Sequence, residues 1–509
     1  MNKKPSITIL FILFLTASDI FSQAPLVFPR LSPDPLALEF NSLYASNQNL
    51  TWFELAQIAL WASGDTSITG IVKNADAVSA GSSLGKIITE TASLSARADY
   101  PSNGRDRAQF ILEYLYANIL KTYSLTQTRI DTIFTNGRYN CVSSAVLYMI
   151  FCEYSGINSS GVITRDHALL TLHINGEDID VETTNRYGFD PGNRREFLDQ
   201  FGRLTGFTYV PARNYRDRQS IGKIELISII FNNRISDLER QGRYAEAVPL
   251  AIDKAALLHG RSLNVSLVTS ESELFADARL DLMDRLLNYG VSLLRANREE
   301  ESLLWAAAAS PLYPDSERWQ EFIFAAVNNR IARYLRDKKI TEARNFLDSS
   351  KNILSEENYS QLDTIVLDQH LLERANQIAG ISDADAVIAA IEQARVQRRI
   401  SAARAQEMIT FAIQKTAVVL SAAPARNWRA SISYLENAIS VYGANRELNQ
   451  ALQVYRNNLV SDYHNRFAAE WNRRNYAEAE RILEDGLREF PENLQLLSDW
   501  DIVQRQRAR

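Results

Sequence analysis

The chain has 509 residues, too many for one ordinary hydrophobic core, so two or more domains are expected. With 46% hydrophobic and 23% charged residues it has a globular composition, which excludes a collagenous or disordered chain. A net charge of −6, with no run of Lys and Arg, argues against nucleic acid as a partner.

Residues 1–22 read as a signal peptide. Lys3 and Lys4 precede an apolar stretch over 6–17 that is too short to span a bilayer comfortably, and the small residues Ser18 and Ser22 follow it. The expectation is an exported protein, periplasmic or secreted, with no transmembrane span in the mature chain. Four prolines (Pro25, Pro29, Pro33, Pro35) make 23 to about 44 an extended stretch. Helical patterns follow over 50–64 and 105–120, with a small-residue loop, "SAGSSLGK" (79–86), between them. That loop lacks the spacing of a phosphate loop. Residues 23–104 are thus a helical region expected to pack on the core.

Residues 137 to about 215 change character, and 105–218 read as one α+β domain. An apolar helix is expected from Cys141 to Tyr154, then strands. In "HALLTLHINGEDIDVETT" (167–184) apolar residues alternate on both sides of Asn175-Gly176, the signal of a hairpin with a type I′ turn. "GFDPGNRREFLDQ" (188–200) reads as a turn and a helix start.

The only two cysteines, Cys141 and Cys152, fall at opposite ends of that one helix. Their separation gives about 16 Å of helical rise, against the roughly 7 Å a disulfide tolerates. They do not pair with each other. Each is a free thiol, or one pairs between chains. A sulfur at a helix start lies beside unpaired N–H groups and the positive end of the dipole, a setting that favours thiolate. Cys141 is placed for reactivity and Cys152 as filler, although a small buried role also fits Cys141.

A cysteine nucleophile needs a base. Of the five histidines, His259, His370 and His464 lie in the C-terminal part, while His167 and His173 lie on the first strand of the hairpin. A two-residue loop sets His173 opposite Asp178, Thr171 opposite Asp180 and Leu169 opposite Glu182. His167 and Glu182 are then diagonal neighbours, about 7–8 Å apart at the backbone and within side-chain reach. Asp180 is one step further away, and a different loop length would exchange the two acids. His173 and Asp178 sit beside the turn and read as a surface ion pair. Asn140 and Tyr139 are candidates to line the cleft, with a turn role equally open to Asn140. No His/Cys/Asp cluster has metal-ligand spacing, so neither metal nor cofactor is expected.

A cysteine opening a helix, a histidine on one strand and an acid on the next is a papain-like order. With "NCVSSAVLYM", "DHALLTLHINGEDIDVETT" and "GFDPG", residues 137–192 resemble a transglutaminase-like cysteine domain. The resemblance implies Cys141 as nucleophile, His167 as base and Glu182 as the acid, where aspartate is more usual. It leaves protease, amidase and transglutaminase chemistry open. The aromatic residue the family carries after "HA" is replaced by Leu169, and no side-chain oxyanion donor is identifiable upstream of the cysteine.

From 222 to 509 strand signals vanish. "NNRISDLERQGRYAEA" (232–247), "NNRIARYLRDKKITEA" (328–343) and "HNRFAAEWNRRNYAEA" (464–479) share one register. In each, Arg234, Arg330 or Arg466 precedes Tyr244, Ile340 or Tyr476, and Ala247, Ala343 or Ala479 follows. The alanine is expected to let helices approach, with the aromatic filling the next gap. Weaker copies lie between, at Arg295–Leu303, 381–394 and 425–438. Together they make about six helical hairpins with a period near 46 residues, which resemble tetratricopeptide repeats stacked as an α-solenoid. "NRRNYAEAERILEDGLREFPENLQLL" (472–497) matches best, though the period exceeds the family's usual ~34 residues.

Two functions fit this sequence. One is an exported thiol enzyme that hydrolyses or transamidates peptide or carboxamide bonds, with the repeats binding a protein or peptide. The other is a non-catalytic scaffold in which the repeats bind a protein partner and the cysteine domain is inactive. The oligomeric state is open in both.

Overall fold

A computed structural model describes residues 28–46, 49–164, 167–192, 197, 202–203, 218–261, 273–313, 316–422 and 427–507. The segment 1–22, expected to be a signal peptide, and most of the helix start expected within 188–200 lie outside the described residues. The protein is mainly helical with a small sheet region. It divides into two compact units, 1–322 and 323–509.

The first unit opens with a departure from expectation. Of the proline-rich segment, Phe28 to Asp34 has no regular structure, but α1 runs from Pro35 to Ser46. Proline suits a first helical position because its missing N–H would be unpaired there anyway. Asp34 accepts the Leu36 N–H at 2.9 Å, beginning the turn. Helix α2 (Trp52–Ser63) carries a complete capping box between Thr51 and Glu54, and all but its Trp52 and Glu54 are buried. It packs on the elements that carry the site described below. The small-residue stretch 79–86 is loop only to Ser82, which caps α3 (Ser83–Ser95). A Cβ at Gly85 would overlap the Ser79 carbonyl, so the chain crosses its own helix start there.

Next come α4 (Gly104–Asn118), β1 (Thr122–Tyr123), α5 (Ile130–Asn136), β2 (Arg138–Tyr139) and α6 (Cys141–Tyr154). Strands β1 and β2 pair in parallel, with Tyr123 beside Tyr139. Strands β3 (Asn158–Thr164), β4 (His167–Ile174), β5 (Glu177–Val181) and β6 (Gln219–Ile221) form an antiparallel sheet in the order β5-β4-β3-β6. Asn175 (φ 51°) and Gly176 (φ 83°) are both left-handed, as a type I′ turn requires. The pairing is Thr171 with Asp180 and His173 with Asp178. Helix α6 packs on β3 and β4, and its residues from Val142 to Cys152 are all buried.

The sheet leads into α7 (Lys223–Arg240), α8 (Tyr244–His259), α9 (Glu273–Arg295) and α10 (Glu299–Ala309). The N-terminal segment clasps this part. Arg30 forms an ion pair with Asp253, whose side chain is 6% exposed. The Asp34 N–H donates to the same carboxylate at 2.8 Å, and the Asn41 amide to Leu257 C=O at 2.9 Å. Phe28 meets Trp305 at 6.0 Å between ring centres. Helix α7 packs on both α2 and α6, so these helices continue the core that encloses the sheet.

The second unit begins within α11 (Glu317–Arg336) and continues through α12 (Ile340–Ser349), α13 (Glu356–Asn376), α14 (Ile381–Val396), α15 (Ala402–Leu420), α16 (Trp428–Tyr442), α17 (Arg446–Asn472), α18 (Tyr476–Glu489) and α19 (Leu494–Arg507). One apolar cluster gathers around Ile391, Ile413 and Leu448, and another around Phe467, Leu483 and Leu496.

Among the described residues, six helix pairs have second helices starting at Tyr244, Glu299, Ile340, Ile381, Trp428 and Tyr476. Four pairs share one turn. Its middle residue is left-handed: Gly242 (φ 74°), Asn297 (58°), Lys338 (59°) and Arg474 (65°). The following N–H reaches back to the carbonyl five residues earlier: Arg243 to Leu238 (2.9 Å), Arg298 to Leu293 (2.9 Å), Lys339 to Tyr334 (2.8 Å) and Asn475 to Glu470 (3.0 Å). The alanines Ala247, Ala343 and Ala479 are buried where paired helices approach. The aromatic behaves otherwise than the sequence suggests. Tyr476 is 41% exposed and stands edge-on to Trp471 at 4.9 Å. It is the first residue of its helix, and side chains there tilt back over the turn. No helix among the described residues is long and apolar enough to cross a membrane.

Candidate active site

Cys141 is the first residue of α6 because Asn140 caps the helix. The Asn140 Oδ1 accepts the Ser143 N–H (2.9 Å), and the Ser143 hydroxyl accepts the Asn140 N–H (2.9 Å). The Ser144 N–H closes on Asn140 C=O at 3.0 Å. Those bonds leave the N–H groups of Cys141 and Val142 without intrahelical partners at the positive end of the helix. The thiol is free and half-buried.

His167 opens β4, and Glu182 follows the end of β5. The His167 Nε2 lies 2.5 Å from Glu182 Oε2, with side chains 12% and 1% exposed. Cys141 is the other group near the ring that acts on its charge. With Nε2 committed to the acid, Nδ1 is the nitrogen left for the sulfur. Burial opposes the charged imidazolium, but the Glu182 carboxylate and Cys141 outweigh it. The His167 pKa stands well above the usual histidine value. Asp180 belongs to a separate pair with Arg218 at 2.7 Å and accepts the Thr171 hydroxyl at 2.7 Å. His173 and Asp178 meet at 2.7 Å, 40% and 74% exposed.

Glu182 is held from behind. Its Oε1 accepts the Thr184 N–H (3.1 Å) and the Thr184 hydroxyl (2.7 Å), which turns Oε2 toward the ring. The Tyr116 hydroxyl donates to Thr183 C=O at 2.8 Å, and the hydroxyls of Ser144 and Thr183 meet at 2.9 Å. Gly188 closes the loop, with its carbonyl accepting the Glu182 N–H at 2.8 Å. Burial raises the phenol pKa of Tyr116 well above its ordinary range, so the group stays a donor. None of Tyr116, Thr184 and Gly188 is a chemical group that spacing marks. The nearest sequence signal is the threonine two positions after the acid, a common local hydrogen-bond geometry.

Tyr139 and Asn140, expected on the cleft wall, are buried at 2% and 3%. The Tyr139 hydroxyl meets Tyr116 at 3.1 Å, and the Asn140 amide donates to Leu125 C=O at 3.2 Å. Their polar groups are hydrogen-bonded within the protein, Tyr139 to Tyr116 and Asn140 to Ser143 and Leu125. Cys152 is fully buried and free, and burial drives its thiol pKa far upward despite the hydrogen bond to Tyr148. Among the described residues no group of three His, Cys, Asp or Glu side chains could hold a metal ion.

No family model and no curated protein matches the chain. A half-buried thiol, a histidine near it and a buried carboxylate paired with that histidine form a set suited to nucleophilic acyl transfer.

Proposed function

We infer that this chain is an exported thiol enzyme with a transglutaminase-like domain, which attacks peptide or carboxamide carbonyls through Cys141, and that its tetratricopeptide-like hairpins bind a protein or peptide partner. The observation that carries the reading is the His167 ring paired with the buried Glu182 carboxylate at 2.5 Å and set near Cys141 at the start of α6. His167 takes the thiol proton and Glu182 stabilises the imidazolium, so sulfur attacks as thiolate. The carbon–sulfur bond forms as the carbonyl pair moves onto oxygen. Collapse of that intermediate breaks the carbon–nitrogen bond while His167 protonates the leaving amine. Water then releases the acyl group as acid, or a second amine releases it as a new amide.

The test is alkylation with iodoacetamide between pH 5.5 and 7, where a free cysteine with pKa near 8.5 is only a few per cent thiolate or less. Cys141 is expected to react faster than free cysteine across that range. Equal rates would end the enzyme reading.

A second reading, the non-catalytic scaffold, is favoured by a groove of about 360 Å³ between α7, α8 and α9, flanked by Arg240 and Arg295. None of its lining residues lies on α6 or on the β4–β5 hairpin. Cys141→Ala separates the readings, because a scaffold retains its partner and phenotype with that substitution.

A further inference from the structure

Tyr116 and Tyr123 both stand edge-on to Tyr139, two residues before Cys141, and the three hydroxyls differ in one respect. Tyr116 is committed to Thr183 C=O at 2.8 Å, and Tyr139 to Tyr116 at 3.1 Å. The Tyr123 hydroxyl has no hydrogen-bond partner among the described residues, and the residue is half-buried. Its ring stands edge-on to Tyr139, 5.9 Å between centres, so its backbone and ring are fixed while its polar end is unspent.

Tyr123 also lies on the right wall. Residues 122–127 are laced to the start of α6 by the Ser124 N–H to Tyr139 C=O (2.8 Å), Arg138 to the Ser124 hydroxyl (2.9 Å), Asn140 to Leu125 C=O (3.2 Å) and the Ser143 hydroxyl to Gln127 C=O (2.9 Å). In the β1–β2 pair Tyr123 stands beside Tyr139, two residues before Cys141. The Cys141 helix start thus presents unpaired N–H groups, and the strand flanking it presents one unpaired phenol.

Acyl transfer by a thiol concentrates negative charge on the carbonyl oxygen of the tetrahedral intermediate, and donors already aimed at that oxygen are the strongest single aid to the step. Resting on the thiol reading above, we propose that Tyr123 is a catalytic residue whose hydroxyl donates a hydrogen bond to that oxyanion, beside the backbone N–H groups that open α6. The tyrosine proton stays on its own oxygen throughout. Attack forms the carbon–sulfur bond and moves the carbonyl pair to the oxygen facing Tyr123, and collapse restores the carbonyl and expels the leaving group. Burial, then the nearby Cys141 sulfur and Glu182 carboxylate, hold the Tyr123 phenol above its ordinary range, which keeps it a donor wherever the thiolate exists.

The experiment compares two reagents on the full chain. Iodoacetamide alkylates sulfur by displacement and develops no oxyanion. p-Nitrophenyl acetate acylates it through a tetrahedral intermediate and releases p-nitrophenolate. Tyr123→Phe keeps the ring and its packing. The expected result is a fall of ~10²-fold in the burst of p-nitrophenolate, with the alkylation rate unchanged. An undiminished burst overturns the proposal. So does an equal fall in both rates, which would make Tyr123 a support of the thiol alone. A wild-type thiol that alkylates fast yet gives no burst overturns the Tyr123 role and leaves the thiol reading standing. A wild-type thiol no faster than free cysteine toward either reagent overturns both.

Discussion

Glu182 and Gly188 hold each other through the backbone: the Glu182 N–H donates to Gly188 C=O at 2.8 Å, and a Cβ at Gly188 would overlap the Glu182 carbonyl oxygen. The acid behind His167 is therefore set by a loop that admits only glycine at its close. Gly188→Ala is expected to displace Glu182, costing about 1–3 kcal/mol of stability, as overpacking does. The p-nitrophenyl acetate burst should fall ~10²-fold, the scale of an ångström of misplacement. Unfolding curves and burst rates on the same sample check this, and unchanged values in both refute it.

The raised His167 pKa fixes the sign of a pH dependence. A histidine whose folded pKa lies above its unfolded value of about 6.5 contributes stability that is complete below that value. The contribution is lost as pH rises through the folded pKa. The difference in unfolding free energy between wild type and His167→Gln should therefore be largest near pH 5.5 and shrink toward alkaline pH. A difference that grows with pH contradicts the ion-pair description. Glu182→Gln removes the largest upward influence, so the His167 resonance should titrate lower by NMR.

Thr184 supplies both hydrogen bonds that Glu182 Oε1 receives, one from its N–H and one from its hydroxyl. Thr184→Val removes the second inside a buried site and is expected to cost about 1–3 kcal/mol. Thr184→Ser keeps the donor and should recover most of the loss. Denaturant unfolding of the pair measures this. Equal losses in both variants would assign the effect to packing.

The two thiols should count differently. Native protein is expected to take up one equivalent of iodoacetamide, at Cys141, and denatured protein two. The second thiol, Cys152, is fully buried with its pKa driven upward. Cys152→Ala should leave the native count at one and Cys141→Ala should bring it to zero. Mass spectrometry of labelled peptides reads the outcome directly.

The shared hairpin turn predicts where glycine helps. Lys338 and Arg474 occupy the left-handed position that Gly242 takes in the first hairpin. A side chain there costs about 1–2 kcal/mol, partly offset by the greater unfolded freedom of glycine. Lys338→Gly and Arg474→Gly should each raise stability by up to about 1 kcal/mol, whereas Gly242→Ala should lower it by about as much. Melting curves that move the other way would refute the shared geometry.

What could be read in advance was local. The helix from Cys141 follows from an apolar run after a capping residue. The hairpin follows from Asn175-Gly176, and its register brings His167 diagonally to Glu182 rather than Asp180. The spacing of the helix pairs follows from recurrent alanines that must be small where helices meet. What could not be read depended on distant partners. Tyr116 meets Thr183 across 67 residues, and no local pattern marks either. Strands β1 and β2 are two residues each, too short to show alternation, so Tyr123 carried no signal. Tyr139 and Asn140 looked like cleft residues because they adjoin the cysteine, yet capping and burial take up their polar atoms. Pro35, one of four prolines that suggest an extended stretch, stands at a first helical position and opens α1.

The clasp between Arg30 and Asp253 joins groups 223 residues apart. A ribosome delivers the first of them long before the second, so for much of synthesis the N-terminal segment has nothing to grip. Helix α1, which packs on α8, waits for the same stretch of chain. Such long separations slow folding, because the intervening chain must be ordered before the contact rewards it. The seam between α1 and α8 is therefore closed last, by residues made first, and a nascent chain stopped before α8 would leave α1 without the helix it packs on.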